Sequence, residues 1–180
     1  MRVIAGSLKG RRLKTPTWDG LRPTSDKLRE TLFNILGARV QGARVLDGFA
    51  GTGAIGIEAL SRGATFVTFI DSDRRAAALV EENLRTCRVD GGYVVERGTV
   101  AAVIRQQKDG EPYDLIVLDP PYEAPDVAEA LEAAADRLVP GGILVLERAT
   151  RYDPPVPARL TRTRDVKSGD STLTFYTMAA

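Results

Sequence analysis

Five short apolar runs recur between residues 43 and 148: ARVLD (43–47), TFVTFID (65–71), GYVVERG (92–98), YDLIVLD (113–119) and GILVLER (142–148). Each is rich in Val, Ile and Leu without strict alternation, which marks strands covered on both faces and hence a parallel sheet. Stretches of helical pattern near 53–62, 73–87, 99–107 and 125–138 separate them. Strand–helix alternation of this kind folds as an open α/β sandwich with right-handed crossovers. The end of the chain breaks the pattern. RLTRTRDVKSGDSTLTFYTM (159–178) reads as two alternating strands around residues 167–170, an antiparallel hairpin that closes the sheet.

The first 20 residues stand apart from this body. Residues 2–5 and 11–14 read as two short strands around a glycine-containing turn, and residues 16–20 read as a linker. The division expected is therefore a basic β-hairpin arm with its linker over 1–20 and one domain over 21–180. Residues 1–30 carry eight Lys and Arg against three Asp and Glu, whereas the rest of the chain is net acidic. That asymmetry points to a polyanionic partner at this end, with Arg2, Lys9, Arg11, Arg12 and Lys14 as the candidate phosphate contacts. A sheet of this type needs none of residues 1–15, so the arm is expected to be removable from a folded body. After the linker, Thr24 or Ser25 can cap a helix that carries an apolar stripe of Leu28, Leu32, Ile35 and Leu36 and ends at Gly37. Trp18 reads either as an anchor for the arm or as a platform for an RNA base.

Composition removes several chemistries. The chain of 180 residues has no histidine and a single cysteine, Cys87. Ser-His and Cys-His nucleophiles, His-ligated zinc and an internal disulfide are therefore excluded, and no metal is expected. Cys87 reads as structural. No apolar run is long enough to span a membrane and no signal peptide is evident, so a cytoplasmic monomer is expected.

Two motifs carry the remaining chemistry. Gly51-Thr52-Gly53-Ala54-Ile55-Gly56 matches the dinucleotide fingerprint G-x-G-x-x-G, and Asp71 follows Gly51 by 20 positions, where a ribose-binding carboxylate belongs. Asp47 stands four positions before Gly51. A carboxylate there gives nothing to a pyrophosphate and suits a cationic ligand, such as the ammonium of S-adenosylmethionine. The second motif is Asp119-Pro120-Pro121-Tyr122 at the end of the fourth run. The Asp119 carboxylate and the Pro120 carbonyl can accept both hydrogens of a planar –NH₂ group, since neither proline has an N–H to compete. Tyr122 offers a ring on which a flipped base can stack. In an open α/β sheet the ligand crevice lies outside the carboxyl ends of the strands, so the two motifs are expected to converge.

These motifs, with Arg2-Val3-Ile4-Ala5-Gly6, Lys9-Gly10-Arg11, Arg22-Pro23-Thr24-Ser25-Asp26 and the run from Arg29 to Leu36, resemble the RsmD family, class I methyltransferases acting on the N2 amine of a guanine in small-subunit (16S) ribosomal RNA. The resemblance covers nearly the whole chain and implies a Rossmann-like class I methyltransferase fold, S-adenosylmethionine as cofactor and ribosomal RNA or the 30S subunit as partner. It further implies that Arg22, Pro23 and Thr24 lie near the methionine end of the cofactor. Asp71 with Ser72 takes the ribose, and Phe49, Gly51, Thr52 and Gly53 form the cofactor loop. The stretch after the third run departs from the family pattern: it is Arg97-Gly98-Thr99-Val100, without the acidic residue many such enzymes place near the adenine, so Thr99, Val100 or the backbone must serve there.

By this reading Asp119 and Pro120 turn the amine lone pair toward the sulfonium methyl, and Asp119 or water takes the proton released. Three alternatives use the same residues. A DNA methyltransferase acting on the N6 amine of adenine would share both motifs. An NAD-dependent oxidoreductase would use the glycine loop. A non-catalytic RNA-binding module would leave Asp119 without a role.

Overall fold

A computed structural model describes residues 1–21 and 23–180. The five apolar runs form β1 (Arg44–Gly48), β2 (Phe66–Asp71), β3 (Tyr93–Arg97), β4 (Tyr113–Leu118) and β5 (Leu138–Ala149), and the closing hairpin forms β6 (Leu160–Ser168) and β7 (Ser171–Met178). Together they make one sheet in the order β3-β2-β1-β4-β5-β7-β6. The first five strands are parallel, and β7 runs antiparallel to both β5 and β6. The expected parallel body with an antiparallel closure is present. β5 starts earlier than the run 142–148 suggests, because Leu138 already pairs with Tyr113 ahead of a shift in register.

The helices are α1 (Asp26–Leu36), α2 (Ala54–Ser61), α3 (Arg74–Thr86), α4 (Val100–Gln106) and α5 (Val127–Ala135). One core packs α1, α2 and α3 against Val45, Val67, Phe69, Leu115 and Val117. The other packs α4 and α5 against Leu46, Ile70, Ile116, Leu118 and Leu144. Residues of one parity on each strand thus face one layer and those of the other parity face the second, as a sheet buried on both sides requires. Ser25, not Thr24, caps α1: its hydroxyl accepts from Leu28 N–H at 3.1 Å. Gly56 brings α2 close to the sheet, since a Cβ there would stand 2.2 Å from the Phe69 ring.

The arm pairs as a hairpin without extended strands: Arg2 and Arg12 form an isolated antiparallel bridge, with Val3 N–H donating to Arg11 O and Leu13 N–H to Met1 O, both at 3.0 Å. Its other backbone groups turn to side chains of α2 and α3. Ile4 and Ala5 N–H donate to the Glu58 carboxylate at 2.8 and 3.0 Å, and Leu8 N–H donates to Ser61 Oγ at 2.9 Å. Lys14 N–H donates to Asn83 Oδ1 at 2.7 Å, and Asn83 Nδ2 returns a bond to Lys14 O at 3.1 Å. Val3 and Leu13 enter the core at 2% and 5% exposure. The Arg75 guanidinium of α3 lies 4.9 Å from the Trp18 ring centre.

This docking makes the arm part of the core rather than a free appendage. Glu58 is fully buried, and its carboxylate is satisfied by the arm's N–H groups together with Arg62 Nε at 2.9 Å and Arg29 Nε at 3.8 Å. Removing the arm takes two N–H donors from Glu58 and both Lys14 bonds from Asn83, at a cost of about 1–3 kcal/mol for each polar group left short. A chain lacking residues 1–15 is therefore expected to lose about 3 kcal/mol or more of stability, read as a lower melting temperature or denaturant midpoint. A truncated protein as stable as the full chain would contradict this docking energy.

Candidate active site

The site lies where β1 and β4 run side by side. Gly48 pairs with Leu118 in register, and Asp119 N–H donates to Gly48 O at 3.1 Å. The two sequence motifs are thus joined by backbone at one place. β1 sends its chain into α2 on one face, and β4 sends its chain toward α5 on the other. The divergence opens a cavity of about 500 Å³, lined among others by Leu21, Pro23, Thr24, Phe49, Gly51, Thr52, Asp71, Ser72, Asp119, Pro120, Pro121, Tyr122 and Glu147.

The loop from Gly48 to Gly53 is held in a shape that ordinary residues resist. Gly51 and Gly53 have φ of 60° and 81°, and Phe49 takes 57° although it has a side chain. A non-glycine residue in that region stores about 1–3 kcal/mol of strain, so the flanks must be fixed. Ala50 N–H donates to Ile70 O at 2.9 Å and Gly51 N–H to Asp71 Oδ2 at 2.9 Å. Asn83 Nδ2 donates to Thr52 O at 2.8 Å, so the same side chain that holds the arm also holds the loop.

Asp71 faces the cavity and braces its wall. Besides Gly51, its carboxylate accepts from Asp73 N–H at 2.9 Å. Burial raises its pKa, and the N–H bonds from Asp73 and Gly51 oppose that rise. Capping of α3 falls to Asp73, which accepts from Arg75 N–H.

Asp47 sits under the loop and does not line the cavity. Its Oδ2 accepts from Gly56 N–H at 2.9 Å, in the first turn of α2. Its other oxygen, Oδ1, is buried without a partner among the described residues. Burial pushes its pKa up to about 8; the Gly56 N–H opposes the shift and the Asp71 charge adds to it. A buried carboxylate oxygen with no donor fits a cationic group better than a phosphate.

The floor of the cavity is acidic. The Thr24 hydroxyl donates to Asp119 Oδ2 and lies 3.3 Å from Glu147 Oε2. Glu147 sits near the end of β5, whose Leu146 pairs with Leu118 of β4, so the two carboxylates are neighbours across the strands. Burial raises the Asp119 pKa well above the ordinary carboxylate range. The Glu147 charge and a hydrogen bond with Glu147 raise it further, while the Thr24 hydroxyl works against the rise. Glu147 and Leu21 are absent from the sequence reading. Glu147 could have been found there as the acidic residue that ends the fifth buried run.

The remaining expected residues fall as follows. Tyr122 lines the cavity and its hydroxyl bonds Ser171 Oγ. Thr99 and Val100 lie away from the cavity: Thr99 caps α4 by accepting from Ala102 N–H, and Val100 is buried at 1% exposure. Arg22 lies outside the described residues. In the arm, Arg11 donates to Cys87 O and Lys14 pairs with Glu82, whereas Arg2, Lys9 and Arg12 are exposed. The arm does not project toward the mouth. Its turn meets Ser61 and the carbonyl of Cys87, at the C-terminal ends of α2 and α3 and away from the cavity, while Met1 and Lys14 reach back to Thr52 and Asn83 beside the glycine loop.

Comparison with known proteins agrees with this geometry. The family described as "Conserved hypothetical protein 95" matches residues 1–177. The ribosomal RNA small subunit methyltransferase D of Escherichia coli K12 is 34% identical over 179 residues, covering 98% of this chain and 89% of that protein. The protein of the same name from Haemophilus influenzae is 33% identical, covering 98% and 93%. Among solved structures, the putative methyltransferase yhhF from Escherichia coli superposes with a TM-score of 0.86 at 34% identity, covering 99% of this chain and 97% of that one. A match over almost the full chain, on a sheet with this strand order and with both motifs at one crevice, places the chain in the RsmD family of ribosomal RNA methyltransferases.

Proposed function

We propose that the protein transfers a methyl group from S-adenosylmethionine to the exocyclic N2 amine of a guanine in small-subunit ribosomal RNA. The observation that carries this reading is the joining of the glycine loop to Asp119-Pro120-Pro121-Tyr122 across β1 and β4, with one cavity between them. The names of the full-length relatives supply the RNA class.

The residues present fit the cofactor. Asp71 and Ser72 on the cavity wall suit the ribose hydroxyls, and Asp47, buried behind the glycine loop, suits a cationic group such as the α-ammonium on the cavity side of that loop. Asp119-Pro120-Pro121-Tyr122 in the same cavity has no role in hydride transfer, which disfavours the nicotinamide reading. When bound, S-adenosylmethionine supplies an electrophilic methyl group on sulfur. The chain's part is to position the amine and receive its proton. The guanine N2 lone pair is delocalised into the ring, so the amine is a weak nucleophile. The ionised Asp119 carboxylate and the Pro120 carbonyl accept its two hydrogens, which favours a pyramidal nitrogen with its lone pair turned toward the methyl group. The methylated nitrogen is cationic and strongly acidic, and the Asp119–Glu147 pair takes its proton. Rate acceleration comes from alignment and fixed electrostatics rather than from a strong base.

Replacing Asp119 with alanine is expected to lower methyl transfer by on the order of 10²–10³ while S-adenosylhomocysteine binding stays within a few-fold. The assay is transfer of labelled methyl to small-subunit particles, beside a calorimetric titration. Near-normal turnover in that variant refutes the assignment.

Asp119 must be ionised to accept the amine hydrogens, and its folded pKa is raised by burial and by Glu147. The rate is therefore low while the carboxyl holds its proton and increases with pH as it ionises. The midpoint should stand well above the ordinary Asp value of about 3.9. A single-turnover pH profile checks this, and a rate already at its plateau in the ordinary carboxylate range contradicts it.

The exposed arm cations Arg2, Lys9 and Arg12 are assigned to RNA phosphates. Changing all three to alanine should weaken RNA binding and reduce the slope of log K against log salt by about 2–3. Arg11 is left in place because it holds the Cys87 carbonyl. An unchanged slope would return these side chains to ordinary solvated surface.

A further inference from the structure

The floor of the cavity offers more acceptors than the chain supplies donors. Thr24 has one hydroxyl hydrogen and stands against both Asp119 Oδ2 and Glu147 Oε2. Among the described residues no lysine, arginine or backbone N–H donates to either carboxylate. Glu147 is only 7% exposed and both carboxylates line the cavity, so the donors they lack must come from its contents. Two carboxylates held together in a poorly solvated place repel each other and leave lone pairs unmatched. Burial and the Glu147 charge raise the Asp119 pKa, so a proton on Asp119 is one way to relieve this. A guest that brings several N–H groups along one edge would relieve it better.

The nucleobases differ sharply in this respect. Guanine presents N1–H beside its 2-amine, three hydrogens on one edge. Adenine and cytosine place a ring nitrogen with a lone pair beside their amine, and that lone pair would face a carboxylate. We propose that Glu147 is the base-reading residue: its carboxylate accepts the N1–H of the target guanine while Asp119 accepts from the adjoining 2-amine. Glu147 thereby selects guanine against bases whose ring nitrogen next to the amine carries a lone pair. This assignment rests on the guanine-amine reading of the site and adds the group that enforces it. Thr24 keeps the two carboxylates at a fixed separation, so both halves of the edge are met at once.

2-Aminopurine tests the assignment, because it keeps the 2-amine and replaces N1–H with a lone pair. The guanine methylated by the wild-type protein is first located by nuclease digestion and mass spectrometry. Small-subunit RNA is then ligated with 2-aminopurine at that position, and kcat/KM is compared for the two RNAs. The wild type should prefer guanine by about a hundredfold or more, since a site built to accept a hydrogen rejects the analogue lacking it. In Glu147→Gln the amide can turn its –NH₂ toward the ring nitrogen, and the preference should fall below about tenfold. A melting transition like that of the wild type shows that the variant is folded. If Glu147 only positioned Thr24 and Asp119, both rates would fall together and the ratio would not move, which overturns the proposal. Equal rates for guanine and 2-aminopurine in the wild type overturn it without any variant, so a misfolded Glu147→Gln leaves it testable. Failure of the wild type to methylate guanine at all shows in the first step, and that result removes the parent reading and this one together.

Discussion

The fold and its chemistry depend on one topological constraint, the reversal of strand order between β1 and β4. β1 and β2 send their crossover helices to one face, whereas β3 and β4 send theirs to the other, and the two layers cannot both cover the strand ends at the junction. The opening this creates is the cavity, and the residues at the ends of β1 and β4 line or back it without further arrangement. The Asp119 N–H bond to Gly48 O fixes the two edges relative to each other. A change in register at either strand would separate the glycine loop from Asp119 and dissolve the site.

The cavity concentrates negative charge in a chain whose net charge is only +1. Asp47, Asp71 and Asp119 all have raised pKa values, each with burial as the largest cause. Burying carboxylates costs stability, and a fold retains them where the ligand offsets that cost. An ammonium at Asp47 and an N–H-rich base edge at Asp119 and Glu147 are complementary to these groups. The N-terminal arm belongs to the same construction: Asn83 bonds both Lys14 and the Thr52 carbonyl, so the arm braces the cofactor loop as well as covering α2 and α3.

The parallel body was legible because its strands are continuous apolar runs with glycine loops between them, and the closing hairpin because its strands alternate. The convergence of the two motifs followed from the rule about strand ends. Other features depend on contacts between distant segments, which a local pattern does not carry. Glu58 looks like an ordinary helix-surface residue paired with Arg62; the N–H donors that complete its burial lie more than fifty positions away, at Ile4 and Ala5. The arm pairs as a hairpin around Arg2 and Arg12, yet the N–H groups of Ile4, Ala5, Leu8 and Lys14 find acceptors in Glu58, Ser61 and Asn83. Thr24 and Ser25 are equally good caps by sequence, and only the placement of Asp119 and Glu147 decides which hydroxyl is used for which purpose. Thr99 has the signature of a helix cap and is one, which removes it from the cavity wall.

The central claim is that one cavity holds the methyl donor against the glycine loop and presents the amine to Asp119 and Glu147. An experimental structure with S-adenosylhomocysteine tests it most directly. The account predicts the ribose against Asp71, the homocysteine ammonium against the glycine loop that covers Asp47 and the sulfur turned toward the Asp119–Glu147 floor. A ligand bound away from the β1–β4 junction, or one whose sulfur points away from Asp119, would contradict it.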